Sequence, residues 1–427
     1  MHYIWQIIKP VIMKINYLFL ILSLAIISCA STQPGVADPF AKARDSSFIY
    51  TILPGADQTE KYIDYLKNKR VGILANPTST IGKTHLVDSL IARGIKVVKA
   101  FGPEHGFRGD ASAGAKVGDA VDAKTGIPVI SLYGAKNKPT AQDLADVDLM
   151  IFDIQDVGVR FYTYINVLGR LMEACAENNK ELLILDRPNP NGYLIDGPIL
   201  DMKLKSGIGA YPIPIAHGMT VGEFALMING EGWLANKAKA NVKIVPVANY
   251  NHDMPYTLPV KPSPNLNTQQ SILLYPSLCL FEGTIISQGR GTYFPFGVLG
   301  APALKGKYSF NFTPVGIKGM AETPLHMNKA CFGLDLRNYD MSDLIKERKI
   351  NIQWMIDLYK AYPDKAKFFD RKASNPPNQM GDIDKLAGVY DFRKQIESGM
   401  SEADIRKTWE PGLAAFRQTR AKYLIYP

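Results

Sequence analysis

Carboxylates and arginines cluster in a few Gly-, Pro- and Asn-rich runs of this chain, and their types limit the chemistry open to them. The run Gly102-Pro103-Glu104-His105-Gly106-Phe107-Arg108-Gly109 holds an acid, an imidazole and a guanidinium close together. Asp153-Ile154-Gln155-Asp156 leads through Gly158 to Arg160 and Tyr162, and Asp186-Arg187-Pro188-Asn189 repeats the pattern of acid beside cation. Gathered in one crevice, such groups make a general-acid site for an anionic substrate. The second half adds His217 before Gly218, Asn265 and Asn267 in a Pro-rich loop, Glu282 in Phe281-Glu282-Gly283-Thr284, and Arg290 between two glycines. Amides, aromatic planes and one more carboxylate in loops are what surrounds a bound sugar.

Each acidic run follows an apolar segment. Val71–Ala75, Lys96–Phe101, Pro128–Tyr133, Leu149–Asp153, Leu182–Asp186 and Val242–Val247 read as strands. Between them His85–Arg93, Thr140–Ala145, Tyr164–Asn178 and Thr220–Asn229 carry apolar residues at helical spacing. Fully apolar strands alternating with helices predict an α/β fold, a mostly parallel sheet with helices on both faces. Ligands bind such sheets beyond the carboxyl ends of the strands, which is where the runs fall. Past residue 301 the strand-like segments are less regular, with helices expected at Ile352–Ala361, Ile383–Ala387 and Glu402–Trp409. This predicts a larger part over residues 48–300 and a smaller α+β part over 301–427.

Composition excludes several classes. At 46% hydrophobic and 21% charged, the chain of 427 residues is neither disordered nor a multi-span membrane protein. Its net charge of +9 is accompanied by no Lys/Arg block, zinc-finger spacing or aromatic RNA-binding motif, so no nucleic-acid partner is expected. Neither HExxH nor a phosphate-binding glycine motif occurs, and no metal or cofactor is expected.

Ile15–Ser28 is an apolar stretch behind Lys14, and Ile26-Ile27-Ser28-Cys29 resembles the lipobox of a bacterial lipoprotein signal. Met13-Lys14 suits a start better than Met1. Residues 1–28 are expected to be removed, Cys29 to carry lipid, and residues 29–47 to form a tether. Processing takes away Lys9 and Lys14 and leaves a charge of +7. The expected location is the bacterial cell envelope, periplasmic or anchored to a membrane, amid anionic polymers. Cys175, Cys279 and Cys331 stand among apolar neighbours with no CxxC and read as buried thiols.

Together, the Phe101–Gly109 run, the Phe152–Tyr164 run, Leu185-Asp186-Arg187-Pro188-Asn189-Pro190, Pro264-Asn265 and Phe281–Thr284 resemble the NamZ-type exo-β-N-acetylmuramidase family over residues 65–420. The resemblance implies a Rossmann-like catalytic part, an auxiliary C-terminal part and an active site in the cleft between them. It further implies release of N-acetylmuramic acid (MurNAc) from the non-reducing end of peptidoglycan-derived MurNAc-GlcNAc glycans. In that family the residue matching Glu104 is the proposed catalytic acid.

Glycoside hydrolysis needs an acid for the leaving oxygen and a second group at the oxocarbenium-like carbon. Glu104 takes the first role, with His105 as a neighbouring contact; Asp153, Asp156 and Glu282 compete for the second, as does the substrate's own acetamido group. An arginine should bind the lactyl carboxylate of MurNAc in bidentate fashion, from among Arg160, Arg187 and Arg290 with Arg160 preferred. Tyr162, His217, Asn265 and Asn267 are further candidate sugar contacts. The duller readings pair Glu104 with Arg108 and Asp186 with Arg187. Two alternatives in function are a non-catalytic cell-wall glycan-binding lipoprotein and a metal-dependent hydrolase.

Overall fold

The computed structural model describes residues 51–104, 106–109, 118–134, 136–370 and 382–427. Seven segments form the main sheet: β1 (Val71–Ala75), β2 (Val97–Gly102), β3 (Ala120–Val121), β4 (Pro128–Ser131), β5 (Leu149–Asp153), β6 (Glu181–Leu185) and β7 (Asn241–Val245). Their order is β7-β6-β5-β1-β2-β4-β3, with every pairing parallel except β3 with β4 at the edge. Every residue of β1 and β5 is buried, which requires cover on both faces. On one face Val71, Ile73 and Ala75 of β1 join Leu149 and Ile151 of β5 and Leu183 and Leu185 of β6. Helix α1 (Leu86–Ala92) adds Leu86, Val87 and Leu90 to this core. His85 caps that helix, its Nδ1 accepting from the Val87 amide at 3.4 Å. The short α2 (Ala141–Leu144) starts at a capping box of Thr140 and Asp143. Helices α3 (Tyr164–Glu177) and α4 (Val221–Gly230) pack on each other and against β6 and β7.

The chain departs from β1 in both directions, to β2 and β4 on one side and to β5, β6 and β7 on the other. That reversal opens a crevice at the carboxyl ends of β1 and β5, where α/β sheets bind ligands.

One buried helix breaks the expected pattern. Helix α5 (Gln269–Leu278) contains Pro276, which in a sequence reads as a breaker. Every residue from Gln270 to Leu278 is buried, so packing overrides the local preference. A three-stranded antiparallel sheet follows, with β8 (Val298–Ala301), β9 (Asn311–Phe312) and β10 (Cys331–Asp335) in the order β8-β10-β9. The division expected at residue 301 falls at the end of β8. Helices of this half include α6 (Gln353–Ala361), α7 (Ile383–Ala387), α8 (Asp391–Glu397) and α9 (Glu402–Ala421), with further helices at Ser342–Glu347 and Lys365–Phe368. Helix α9 extends well past the expected Trp409 and through Pro411.

After α9 the chain returns to the main sheet. The Tyr426 hydroxyl donates to Asp186 Oδ2 at 2.6 Å and accepts from the Val247 amide at 2.8 Å. All described residues fall in one compact unit. Cys175, Cys279 and Cys331 are buried and unpaired, as their apolar surroundings suggest. Among the described residues no helix is long and apolar enough to cross a membrane. The expected signal, Cys29 and tether lie outside the described residues, as does His105.

Candidate active site

The strand-end loops are tied to one another before they present anything to a ligand. After β1, Asn76 Oδ1 accepts from the Thr78 amide at 2.9 Å, and Thr78 Oγ1 accepts from the Gln155 amide beyond β5 at 3.0 Å. Ser79 Oγ donates to the Asp153 carbonyl. Gly158 holds a φ of +76°, and a Cβ there would lie 2.3 Å from the Asn189 amide group. Only glycine lets the loops after β5 and β6 approach this closely.

Above these loops lies a cleft of about 460 Å³. Glu104, Tyr133, Phe161, Tyr162, Tyr164, Asn166 and Arg170 line it from the parallel-sheet side. Ser263, Asn265, Tyr275, Glu282, Arg290 and Phe296 line it from the segments that follow. A second cavity of about 700 Å³, bordered by Asp196, Arg406 and Trp409, contains none of these groups. The cleft's aromatic wall is a chain of edge-on contacts: Tyr162 with Tyr164 at 5.0 Å, Phe161 with Tyr275 at 5.4 Å, and Tyr275 with Phe296 at 4.9 Å between ring centres.

Among the described residues two carboxylates line this cleft. Glu104 follows β2 and is hydrogen-bonded by the Tyr133 hydroxyl, whose pKa is pushed up to about 12 by burial and by the Glu104 charge. Arg108 is engaged elsewhere, bonding Asp88 at 2.8 Å and Asp122 at 2.7 Å, so the Glu104–Arg108 pair does not form. Glu282 sits on the helical turn Cys279–Gly283 that continues α5. Its Oε1 accepts from Arg290 Nη2 at 2.6 Å and Nε at 3.0 Å, and the guanidinium lies 5.1 Å from the Phe296 ring centre.

Several candidates are placed differently from expectation. Asp153 is fully buried and forms a bidentate pair with Arg187, Nε to Oδ1 at 2.5 Å and Nη2 to Oδ2 at 2.9 Å. The ion pair at this strand end is therefore Asp153–Arg187, not Asp186–Arg187, and neither residue lines the cleft. Asp186 instead accepts from the Thr220 and Tyr426 hydroxyls and the Gly222 amide, and burial raises its pKa to about 6.

Arg160 is wholly buried. Nη1 donates to the Pro198 and Ile213 carbonyls, and Nη2 to those of Leu386 and Ala387 at the end of α7. It is a C-terminal cap for that helix, out of reach of a substrate carboxylate. Gly388, at a φ of +84°, makes room for it: a Cβ there would lie 2.5 Å from Arg160 Nη2. Asp156 and His217 form a buried pair that does not line the cleft, His217 Nε2 standing 3.9 Å from Asp156 Oδ2. Burial pushes Asp156 up to about 7 and lowers His217 to about 3.

Tyr162 and Asn265 do line the cleft, Tyr162 donating to the Pro262 carbonyl at 2.8 Å. Asn267 is not among the lining residues and donates to the Tyr293 carbonyl at 3.0 Å. Arg170 was not singled out by its sequence context, a helix interior without a motif, yet it reaches the cleft from α3. The one signal in the sequence is its spacing, three residues after Val167 and four after Asn166, which sets it on their face of the helix.

The chain also matches known proteins along most of its length. The family model for the N-terminal part of exo-β-N-acetylmuramidase NamZ matches residues 71–270, and that for its C-terminal part residues 273–426. The peptidoglycan β-N-acetylmuramidase NamZ of Bacillus subtilis (strain 168) is 40% identical over 419 residues, covering 94% of this chain and 96% of the relative. Two solved DUF1343 family proteins of Bacteroides fragilis NCTC 9343 share the fold. One has a TM-score of 0.80 at 45% identity, the other 0.72 at 29%, and each comparison covers 88% of this chain and 99% of the other. The chain therefore belongs to the exo-β-N-acetylmuramidase NamZ family of glycoside hydrolases.

Proposed function

We propose that this enzyme hydrolyses the β-1,4 bond that joins a terminal MurNAc to the rest of a peptidoglycan fragment, acting from the non-reducing end, with Glu104 as general acid. The observation that carries this reading is the pair of carboxylates lining one aromatic cleft: Glu104 at a strand end and Glu282 across from the parallel-sheet residues. Glu104 protonates the leaving oxygen as the glycosidic bond breaks, and a water molecule bonds to the anomeric carbon and gives up a proton. Glu282, fixed by Arg290, supports the positive charge that develops on the sugar. Tyr162, Tyr164 and Tyr275 offer aromatic surface to the pyranose. Asp153 and Asp156, buried behind the loops, shape the site without touching the sugar.

The test is incubation with the disaccharide MurNAc-β-1,4-GlcNAc, following free MurNAc. Wild type should release it, and Glu104→Gln should still bind the disaccharide while losing catalysis at least ~100-fold, the scale of a general acid. Full activity in Glu104→Gln would remove the assignment.

The N-terminal sequence supports an exported lipoprotein held at the cell envelope through Cys29. Mass analysis of the mature chain should find a diacylated Cys29 as the first residue, and Cys29→Ala should abolish acylation. A mature N-terminus elsewhere would refute the anchor.

A further inference from the structure

The three arginines that sequence context offers for the substrate's carboxylate are all committed. Arg160 is spent on four backbone carbonyls, Arg187 on Asp153, and Arg290 on Glu282. One further arginine lines the cleft. Arg170 is half-buried, and among the described residues no carboxylate lies within ion-pair distance of it. Removing a guanidinium partly from water without an anion is unfavourable, so such a group in a ligand cleft is poised for one.

We infer that Arg170 is the residue that recognises the lactyl carboxylate of MurNAc and so distinguishes it from GlcNAc, which lacks that group; this rests on the muramidase reading above.

The placement fits. Tyr164, which feels the Glu104 charge, opens α3, and Arg170 lies six residues on, about 9 Å along the axis. Side chains on a helix lean toward its N-terminus, so the guanidinium leans back over the turn that carries Asn166 and Val167. One turn earlier on the same face, Asn166 is held by its Nδ2 donating to the Gly207 carbonyl at 2.8 Å. Its Oδ1 is buried and has no partner among the described residues. A planar guanidinium matches a carboxylate in two parallel bonds, a match that a lysine ammonium cannot reproduce.

The experiment compares 4-nitrophenyl β-MurNAc, its lactyl-amide analogue and 4-nitrophenyl β-GlcNAc as substrates for wild type, Arg170→Met and Arg170→Lys. Wild type should prefer the lactyl acid over the amide. In Arg170→Met, kcat/KM on the acid should fall ~10- to 100-fold, the range for a lost hydrogen-bonded charge, while kcat/KM on the amide stays within about two-fold. Arg170→Lys should recover part of the preference, and it carries the test should the Met variant fold poorly. A wild-type preference for the acid retained in both variants overturns the inference alone. Wild type inert on 4-nitrophenyl β-MurNAc and on MurNAc-β-1,4-GlcNAc overturns the muramidase reading and the inference with it.

Discussion

Asp156 offers a quantitative test of the buried pair it forms with His217. Its Oδ2 accepts from the Gly158 amide at 2.6 Å, while Oδ1 is buried with no hydrogen-bond donor among the described residues. Taking an ion out of water at such a site is costly, and burial raises the carboxyl from 3.8 to about 7. The folded state thus holds the proton more tightly than the unfolded chain. The resulting stabilisation is complete below pH about 4 and is lost as pH rises through about 7. At 1.36 kcal/mol per pH unit the loss reaches about 4 kcal/mol by pH 8. Asp156→Asn removes it: an amide oxygen in the place of Oδ2 keeps the Gly158 bond, and the amide nitrogen occupies the position that accepts nothing. For a folded unit of roughly 380 residues, an unfolding entropy near 2.1 cal/mol/K per residue makes 1 kcal/mol worth about 1.3 °C. Thermal unfolding should therefore show the variant within about 1 °C of wild type at pH 4 and about 5 °C more stable at pH 8. Asp186, raised in the same direction, is common to both proteins and cancels in the difference. Parallel curves for the two proteins from pH 4 to 8 would refute the reasoning.

Two other substitutions separate structural from catalytic roles. Asp153→Asn leaves Arg187 buried without its counter-ion, which should cost ~3–5 kcal/mol, roughly 4–6 °C in the unfolding midpoint; an unchanged midpoint with lost activity would return Asp153 to the chemistry. Arg160→Met removes the donor to four backbone carbonyls, two of them at the end of α7, and should destabilise by at least ~3 kcal/mol, measured by urea unfolding, and a change confined to KM would contradict the capping role.

The catalytic half was largely legible because its elements are written locally. An apolar run such as Leu149–Asp153 must be buried on both faces, and acids that follow such runs must gather at one end of a parallel sheet. Glu104 could be picked out on that ground. The same logic overcounted, since Asp153 and Asp156 also stand at a strand end but turn into the protein. Helix α5 was missed because Pro276 is a local breaker that only burial outweighs, and the edge strand β3 is too short, at two residues, to register a pattern.

What each arginine does was decided by tertiary structure alone. Arg160 and Arg187 are as chemically suited to an anion as Arg170; the sequence neighbours of Arg160 give no hint that it is engaged, and those of Arg187 suggest a different partner, Asp186. The partners that engage them lie far along the chain: the Leu386 carbonyl is 226 positions from Arg160, and Asp153 is 34 from Arg187. A sequence carries side-chain type and local periodicity, which suffice for the parallel sheet and for an acid at its edge. Whether a charge is already satisfied depends on which distant atoms the fold brings within hydrogen-bond reach, and that left Arg170 open to the cleft.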